Sequence, residues 1–478
     1  MNTSTRMSVI VGIVCFLDIV LLNIGHILAY LFRFGFTPPM VNIEPYRNLA
    51  PWLVVAGIIV LYLFNMYSEW EFKSIGFVVQ SSALVVLTYT IIVASLAFWH
   101  RGFSFPRTII ILGAIIQFIL IVSFRVGLIL IFRQFSHVHK NILVIGTSLD
   151  GDRLILNKLI EHVQRWFHVV SYKTESEVIN LKEILSTVNV VLITPDVQNK
   201  LDIVQQCITQ EVKVMVIPEL FELMMFGADY QQIDDMMVLS LKRPSLSLEQ
   251  KIIKRLFDLV VSVILLLTFS PVILILFVVI PITSSGPAIF QQERLGLSER
   301  IFKIIKFRSM VDNAEIRTGP ILASECDPRI TPIGRFIRAT RLDELPQLIN
   351  VLKGEMSIVG PRPERSFFVR QFKSVKPYYN LRMSVKPGIT GLAQVMAKYN
   401  TSMEDKLRFD LHYINNYSLF MDIKILFKTI KVVLTPDKAC GINRGVNFEE
   451  KQKYEEKQTA MMASREFIID INIEGGKK

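Results

Sequence analysis

The stretch Leu259-Val260-Val261-Ser262-Val263-Ile264-Leu265-Leu266-Leu267-Thr268-Phe269-Ser270-Pro271-Val272-Ile273-Leu274-Ile275-Leu276-Phe277-Val278-Val279-Ile280-Pro281-Ile282 decides how this chain is laid out. It is apolar and long enough to span a bilayer, which takes about 20 helical residues. A Ser-Pro step, Ser270-Pro271, stands in its middle. A proline inside a helix deletes a hydrogen bond and favours a kink, and a preceding serine can satisfy the freed carbonyl. Two layouts follow. A full crossing puts everything downstream on the far side of the membrane. A re-entrant helix, bent at Ser270-Pro271, returns the chain to the side it came from. The polar flanks, Lys251–Arg255 before and Gln291–Arg294 after, allow either.

Upstream lie four more apolar runs, Met7–Leu31, Leu49–Met66, Ile75–Phe98 and Thr108–Phe132, so residues 1–135 read as four transmembrane helices. Trp52, Tyr62, Tyr67, Trp70 and Trp99 sit near the run ends, where interfacial aromatics belong. Asp18, His26 and Arg125 fall inside the runs and are expected to face one another or a wet interior. The positive-inside rule gives a tie: Arg6, Lys73, Arg133 and Lys140 on one side, Arg33, Arg47, Arg101 and Arg107 on the other. Four crossings still place the N-terminus and everything after Arg133 on one side.

Composition agrees with a membrane protein. Of 478 residues 51% are hydrophobic and 20% charged, below the roughly 25% of soluble domains. The net charge of +11 suits anionic lipid surfaces or phosphate-bearing substrates. No zinc-finger spacing or RNA-binding motif appears, which disfavours nucleic acid as a partner. Cys15, Cys207, Cys326 and Cys440 are far apart and form neither a metal pattern nor a disulfide framework, as suits a reducing cytosol.

Residues 140–245 read as a small Rossmann-like parallel α/β domain. Asn141-Ile142-Leu143-Val144-Ile145-Gly146 is a buried strand, and the strand-like runs Asn189–Thr194 and Val212–Ile217 alternate with helical patterns. Gly146-Thr147-Ser148-Leu149-Asp150-Gly151 resembles a dinucleotide fingerprint whose middle glycine is serine, and that glycine is what lets the backbone approach a pyrophosphate. The acid expected beyond the turn falls in Thr174-Glu175-Ser176-Glu177, with no clear second strand before it. The domain is therefore expected to carry no cofactor and to be regulatory or scaffolding.

Downstream of the split helix (residues 250–283), residues 284–437 are dense in cations and turns. At their centre is Arg341-Leu342-Asp343-Glu344-Leu345-Pro346-Gln347, after Arg335 and Arg338. Adjacent carboxylates repel, so keeping both ionised needs cations or a metal nearby. On a helix the two acids diverge by roughly 100°, and Gln347 lies one turn on. One carboxylate is then free to attack a phosphorus while the other holds a metal; spacing alone does not say which. Arginines on turns, Arg308 and Arg362 among them, match phosphate oxygens bidentately.

Several motifs here resemble the monotopic polyprenyl-phosphate phosphoglycosyl transferases, the bacterial sugar transferases. They are Lys254-Arg255-Leu256-Phe257-Asp258, Ser270-Pro271, Lys306-Phe307-Arg308-Ser309-Met310, Leu342-Asp343-Glu344-Leu345-Pro346-Gln347, Val359-Gly360-Pro361-Arg362-Pro363-Glu364, Lys386-Pro387-Gly388-Ile389-Thr390-Gly391 and Tyr413 through Thr429. The resemblance covers about Lys251–Leu434, and the layout ahead of it resembles the long subfamily with four membrane helices and a Rossmann-like domain. It implies a re-entrant membrane helix broken at Ser270-Pro271, joined to a mainly helical cytosolic catalytic domain. It implies transfer of sugar-1-phosphate from a UDP-sugar to undecaprenyl phosphate, releasing UMP, as the first membrane step of exopolysaccharide, capsule or O-antigen repeat-unit synthesis. Asp343 would be the nucleophile and Glu344 the Mg²⁺ ligand. Arg308, Arg338, Arg341 and Gln347 would bind substrate, with Pro361, Arg362, Pro363 and Glu364 forming the nucleotide turn. The enzyme would sit in the bacterial inner membrane, multi-pass, among lipid, with both soluble parts facing the cytosol and a homodimer as the expected assembly. Leu392 and Leu419 stand where the family often has tryptophan. Residues 438–478 form a tail of unknown role, with Glu449–Lys457 helical and Phe467–Ile473 strand-like in pattern. A nucleotide-sugar dehydratase is disfavoured because Lys140 to Ser240 is too short and lacks a Tyr-x-x-x-Lys pair. A non-enzymatic export scaffold would not need Asp343-Glu344.

Overall fold

The computed structural model describes residues 3–67, 75–99, 106–135, 140–163, 167–311, 327, 329–397 and 401–433. The chain divides into two compact units: residues 1–138 with Leu426–Lys431, and the remainder. The tail patterns at Glu449–Lys457 and Phe467–Ile473 lie outside the described residues.

The first unit contains four long helices, α1 (Thr3–Phe34), α2 (Met40–Leu63), α3 (Ile75–Trp99) and α4 (Arg107–Phe135). Each is long and apolar enough to cross a membrane. Their core is built on Leu22, Leu53, Leu61, Val85, Tyr89, Ile109 and Ile121. α1 and α4 approach closely at Gly25, where an added Cβ would stand 2.3 Å from Gln117 Cγ. The Gln117 amide crosses that gap to donate to the Leu22 carbonyl at 2.7 Å. Asp18 and Arg125 do meet. Arg125 Nε donates to Asp18 Oδ1 at 3.2 Å, its Nη2 pairs with Asp18 Oδ2, and its Nη1 donates to the Met66 carbonyl at 3.1 Å. A charge alone in hydrocarbon is costly, so each of these two requires the other. His26 does not join them; it packs between the Tyr46 and Tyr89 rings, centroids 5.6 and 6.0 Å away. Within the same unit, the Phe427 ring packs edge-on against Phe64 at 5.2 Å, and Lys431 donates to Ser81 Oγ at 2.7 Å.

The second unit opens with β1 (Lys140–Gly146), α5 (Leu149–Val163), β2 (Phe167–Thr174), α6 (Lys182–Leu185), β3 (Val190–Ile193), α7 (Lys200–Thr209), β4 (Lys213–Val216) and α8 (Leu220–Met225). The four strands form one parallel sheet in the order β2-β1-β3-β4. The second strand, unclear in the sequence, is β2. It pairs on one side only and is half-buried where its burial is described, so it lacks the unbroken apolar run of a central strand. A hairpin, β5 (Asp229–Ile233) and β6 (Met236–Ser240), leads to α9 (Leu248–Thr283).

α9 is helical throughout its 36 residues, with Ser270-Pro271 inside it. Pro271 cannot donate to the carbonyl four residues back, that of Leu267, and the Ser270 hydroxyl takes its place at 2.8 Å. The N-terminal part of α9 is fastened to the domain that follows it. Lys254 donates to Asp422 Oδ2 at 2.6 Å, and Arg255 donates to the Val351 and Leu352 carbonyls at 2.6 and 2.9 Å. Asp258 Oδ1 accepts from Ser357 Oγ and Ile358 N, each at 3.0 Å. The C-terminal part buries Leu276 and Ile280 against Phe307 and Ile337 of that same domain. Between them Leu267 stays 71% exposed and Leu274 67%.

That domain comprises a hairpin, β7 (Ile289–Leu295) with β8 (Ile301–Phe307), and then α10 (Pro332–Ala339), α11 (Gln347–Lys353), β9 (Ser357–Val359), α12 (Ser366–Val375), β10 (Gly388–Thr390), α13 (Leu392–Met396), α14 (Met403–Asn415) and α15 (Leu419–Val433). β9 and β10 pair in parallel at very close range: a Cβ on Gly388 would lie 2.1 Å from Gly360 N.

Replacing Arg125 with alanine leaves Asp18 buried and uncompensated, and is expected to destabilise the first unit by about 3–5 kcal/mol. Replacing both residues with leucine should cost less than either single change, as read by thermal unfolding in nanodiscs.

Candidate active site

Asp343 and Glu344 lie on a single 3₁₀ turn, Leu342–Glu344, between α10 and α11. Arg341, which enters that turn, has φ +59°, a left-handed conformation that a side-chain-bearing residue adopts only at a cost. The turn is anchored below by Leu342, packed on the Ile280–Phe307–Ile337 cluster, so the end of the membrane helix and the acids share one apolar floor. Asp343 is 8% exposed and Glu344 9%.

Three cations converge on one oxygen of Glu344. Lys306 Nζ lies 3.2 Å from Glu344 Oε1, Arg362 Nη2 3.4 Å and Arg341 Nη1 3.9 Å. Burial opposes the Glu344 charge, but Lys306, Arg362 and Arg341 outweigh it and hold the carboxyl well below the usual range. Asp343 is treated oppositely. Burial and the neighbouring Glu344 charge push it up to about 6, against the pull of Lys306, Arg338 and Arg341. Among the described residues Asp343 accepts no hydrogen bond. The pair is thus divided into a permanent anion and a more basic, unencumbered carboxylate. Lys306 is itself drawn down by burial, partly offset by Glu344.

Each expected site residue has a definite place. Arg341 and Arg362 reach Glu344. Arg338, on α10, faces Asp343 electrostatically, and its Nη1 is buried with no hydrogen-bond partner among the described residues. Gln347 is buried at the start of α11, with its Nε2 donor likewise unmatched. Two orphaned donors beside the acids form a ready cradle for anionic oxygens. Arg308 is elsewhere: it donates to the carbonyls of Ser284 and Ser285 and to Ser284 Oγ, capping the end of α9. Its role in this geometry is to fix the membrane helix, and Lys306 stands at the acids in its stead. Sequence reading quoted Lys306 but gave it no role; its position two residues before Arg308 on β8 puts it one strand repeat further along the same face.

The Pro361-Arg362-Pro363 turn is held from behind. Arg382 donates to the Arg362 carbonyl at 3.1 Å, to Asp410 Oδ2 at 2.8 Å and to Tyr379 OH at 2.6 Å, and lies 3.7 Å from Glu364. The Pro361 carbonyl accepts from Gly388 N at 2.9 Å, and the Glu364 carbonyl from Leu295 N at 3.1 Å.

In the parallel sheet the fingerprint turn is occupied. Asp152 is buried across it, accepting from Tyr172 OH at 2.8 Å and Thr194 Oγ1 at 3.1 Å, and a Cβ on Gly146 would meet its carboxylate at 1.9 Å. The acid beyond β2 is also committed: Glu175 accepts from Gln198 N and Asn199 N at 3.2 and 2.8 Å.

Residues 249–436 match the model of the bacterial sugar transferase family. Among its relatives is the UDP-N-acetylgalactosamine-undecaprenyl-phosphate N-acetylgalactosaminephosphotransferase of Aeromonas hydrophila, 47% identical over 186 residues, 38% of this chain and 44% of that one. Another is the UDP-glucose:undecaprenyl-phosphate glucose-1-phosphate transferase of Escherichia coli, 38% identical over 235 residues, 48% and 50% of the two chains. A third, the undecaprenyl-phosphate galactose phosphotransferase of Salmonella typhimurium, is 39% identical over 242 residues, 47% and 50%. The chain thus spans about half the length of the curated relatives it matches.

The Asp343 carboxyl should titrate near pH 6, protonated below and ionised above, while Glu344 stays ionised throughout the folded range. Difference infrared spectroscopy of the wild type against Asp343→Asn and Glu344→Gln reads both, and a divalent cation should move the Asp343 midpoint down.

Proposed function

We propose that the chain transfers sugar-1-phosphate from a UDP-sugar to undecaprenyl phosphate and releases UMP, with Asp343 as the nucleophile. The observation that carries this is the division of the acid pair: Asp343, pushed up to about 6, accepts no hydrogen bond among the described residues, beside a Glu344 held by Lys306, Arg341 and Arg362. An Asp343 oxygen attacks the sugar-bearing phosphorus; the bond from that phosphorus to the UMP oxygen breaks, and UMP leaves. A phosphate oxygen of the polyprenyl acceptor then attacks the same phosphorus, the aspartyl–phosphorus bond breaks, and a polyprenyl diphospho-sugar is formed. Asp343 ends as it began. Lys306, Arg338, Arg341 and Gln347 hold and neutralise phosphoryl oxygens, and Arg362 grips the nucleotide.

Mg²⁺ fits this donor set. Oε2 of Glu344 accepts no hydrogen bond among the described residues, and Mg²⁺ usually needs only one or two protein carboxylates beside substrate phosphates. When bound it would neutralise charge on the transferred group. Asp152 over Gly146 supports a Rossmann-like unit that works without a dinucleotide.

The reading of α9 as a helix that enters and leaves the membrane from the same side is supported by its contacts. Its two ends are joined to one folded domain, and a straight helix of 36 residues would be about 54 Å long, more than the roughly 30 Å of hydrocarbon. Ends lying across a bilayer from each other could not both pack on that domain. UDP-sugars are cytosolic, which places the domain on the cytosolic face of the inner membrane, at the first membrane step of exopolysaccharide, capsule or O-antigen repeat-unit synthesis.

Asp343→Asn should lower UMP release from membranes supplied with UDP-sugar, Mg²⁺ and polyprenyl phosphate by at least about 10³-fold; unchanged activity sinks the assignment. Ser240→Cys and Ser309→Cys should label from the same side in intact and inverted vesicles, whereas opposite sides would mean a full crossing.

A further inference from the structure

The α/β unit has a mechanical connection to the active site. Helix α8, at its far end, lies on α14, and α14 holds it at two points. Arg408 Nε donates to the Pro218 carbonyl at 2.9 Å, just ahead of α8, and Asn415 Nδ2 donates to the Leu223 carbonyl at 2.7 Å, inside α8. Residues 408, 411 and 415 fall on one face of a helix, so Leu411 packs between the two tethers. Leu223, 5% exposed, is buried with Leu407, Leu411, Tyr379 and Met383. A further pair, Lys158 with Asp405, joins α5 to the start of α14.

The same α14 carries Asp410, whose carboxylate holds Arg382. Arg382 lies over the Tyr379 ring at 5.1 Å and donates to its hydroxyl, so the ring against which the Leu223 cluster is built is also the seat of Arg382. Arg382 in turn holds the Arg362 carbonyl, and the Arg362 guanidinium reaches Glu344. From Leu223 to Glu344 the chain of contacts is continuous, and nearly every group in it is buried.

We propose that the α/β unit serves as a buttress for the nucleotide-gripping turn: Leu223 of α8 positions Arg362 through Tyr379, Asp410 and Arg382. Leu223 and Arg382 are positioning residues in this scheme, and Arg362 alone touches substrate. The unit's function is thereby mechanical, and any change in how α8 seats on α14 is transmitted to binding of the nucleotide half of the donor. This rests on the sugar-phosphate transfer reading above.

The test uses the full chain in nanodiscs and measures UMP release against UDP-sugar concentration for the wild type, Leu223→Ala and Leu223→Met. Leu223→Ala should raise KM for the UDP-sugar about tenfold with kcat within about twofold, because binding geometry is loosened while Asp343 is untouched. Leu223→Met, which refills the volume, should restore KM. An unchanged KM, or a fall in kcat alone that tracks the loss of folded protein, overturns the proposal. Should Leu223→Ala not accumulate, Arg408→Gln, which severs the Pro218 tether together with the Arg408 pairs to Asp405 and Glu404 within α14, carries the same expectation and the same refutation. A wild type that releases no UMP would sink the transfer reading instead, so the two failures are distinguishable.

Discussion

Glu344 accepting charge from Lys306, Arg341 and Arg362 is the interaction on which the rest of this site depends. Two adjacent carboxylates in a nearly dry place would ordinarily lose one charge to a proton. Fixing one of them with three cations determines which acid stays ionised and leaves its neighbour near neutrality in proton affinity. That neighbour, Asp343, is therefore both ionised near neutral pH and more basic than an ordinary aspartate. The surrounding geometry serves this division: β8 delivers Lys306, the strained Arg341 turns the acids inward, and the clamped Pro-Arg-Pro turn delivers Arg362.

The membrane helix belongs to the same construction. Lys254, Arg255 and Asp258, at the polar start of the helix, are each tied into the domain that follows, two of them nearly fully buried. Asp258 holds the start of β9, three residues before Pro361. Arg308 caps the other end of the helix, beside the strand residue that faces Glu344. An apolar segment pinned at both ends to one domain is thereby held as part of that domain's fold.

Much of this was legible in the chain. Length and hydropathy marked all five apolar helices, and the Ser-Pro step correctly pointed to a serine satisfying the carbonyl that proline abandons. The parallel sheet followed from its buried strands β1 and β3. β2 was missed because an edge strand is patterned by one partner and a mixed surface. Arg308 drew a phosphate role from its turn and from the family resemblance; in the fold its guanidinium donates to three oxygens at the end of α9. Lys306 was passed over for the converse reason: on an alternating strand it looked like the polar face, and burial against Glu344 is a tertiary fact. Beside the fingerprint weakened by Ser148, Asp152, a residue just beyond the motif, packs against Gly146.

The central claim is that Asp343 itself takes up the phosphosugar. Incubating the full chain with a UDP-sugar radiolabelled at the sugar-bearing phosphorus, without acceptor, and mapping the label by peptide mass spectrometry tests it directly. The account predicts about one label per active chain, on the Asp343 peptide, released when polyprenyl phosphate is added and absent from Asp343→Asn. Transfer to acceptor at full rate with no label ever carried by the protein, or label persisting in Asp343→Asn, would contradict it.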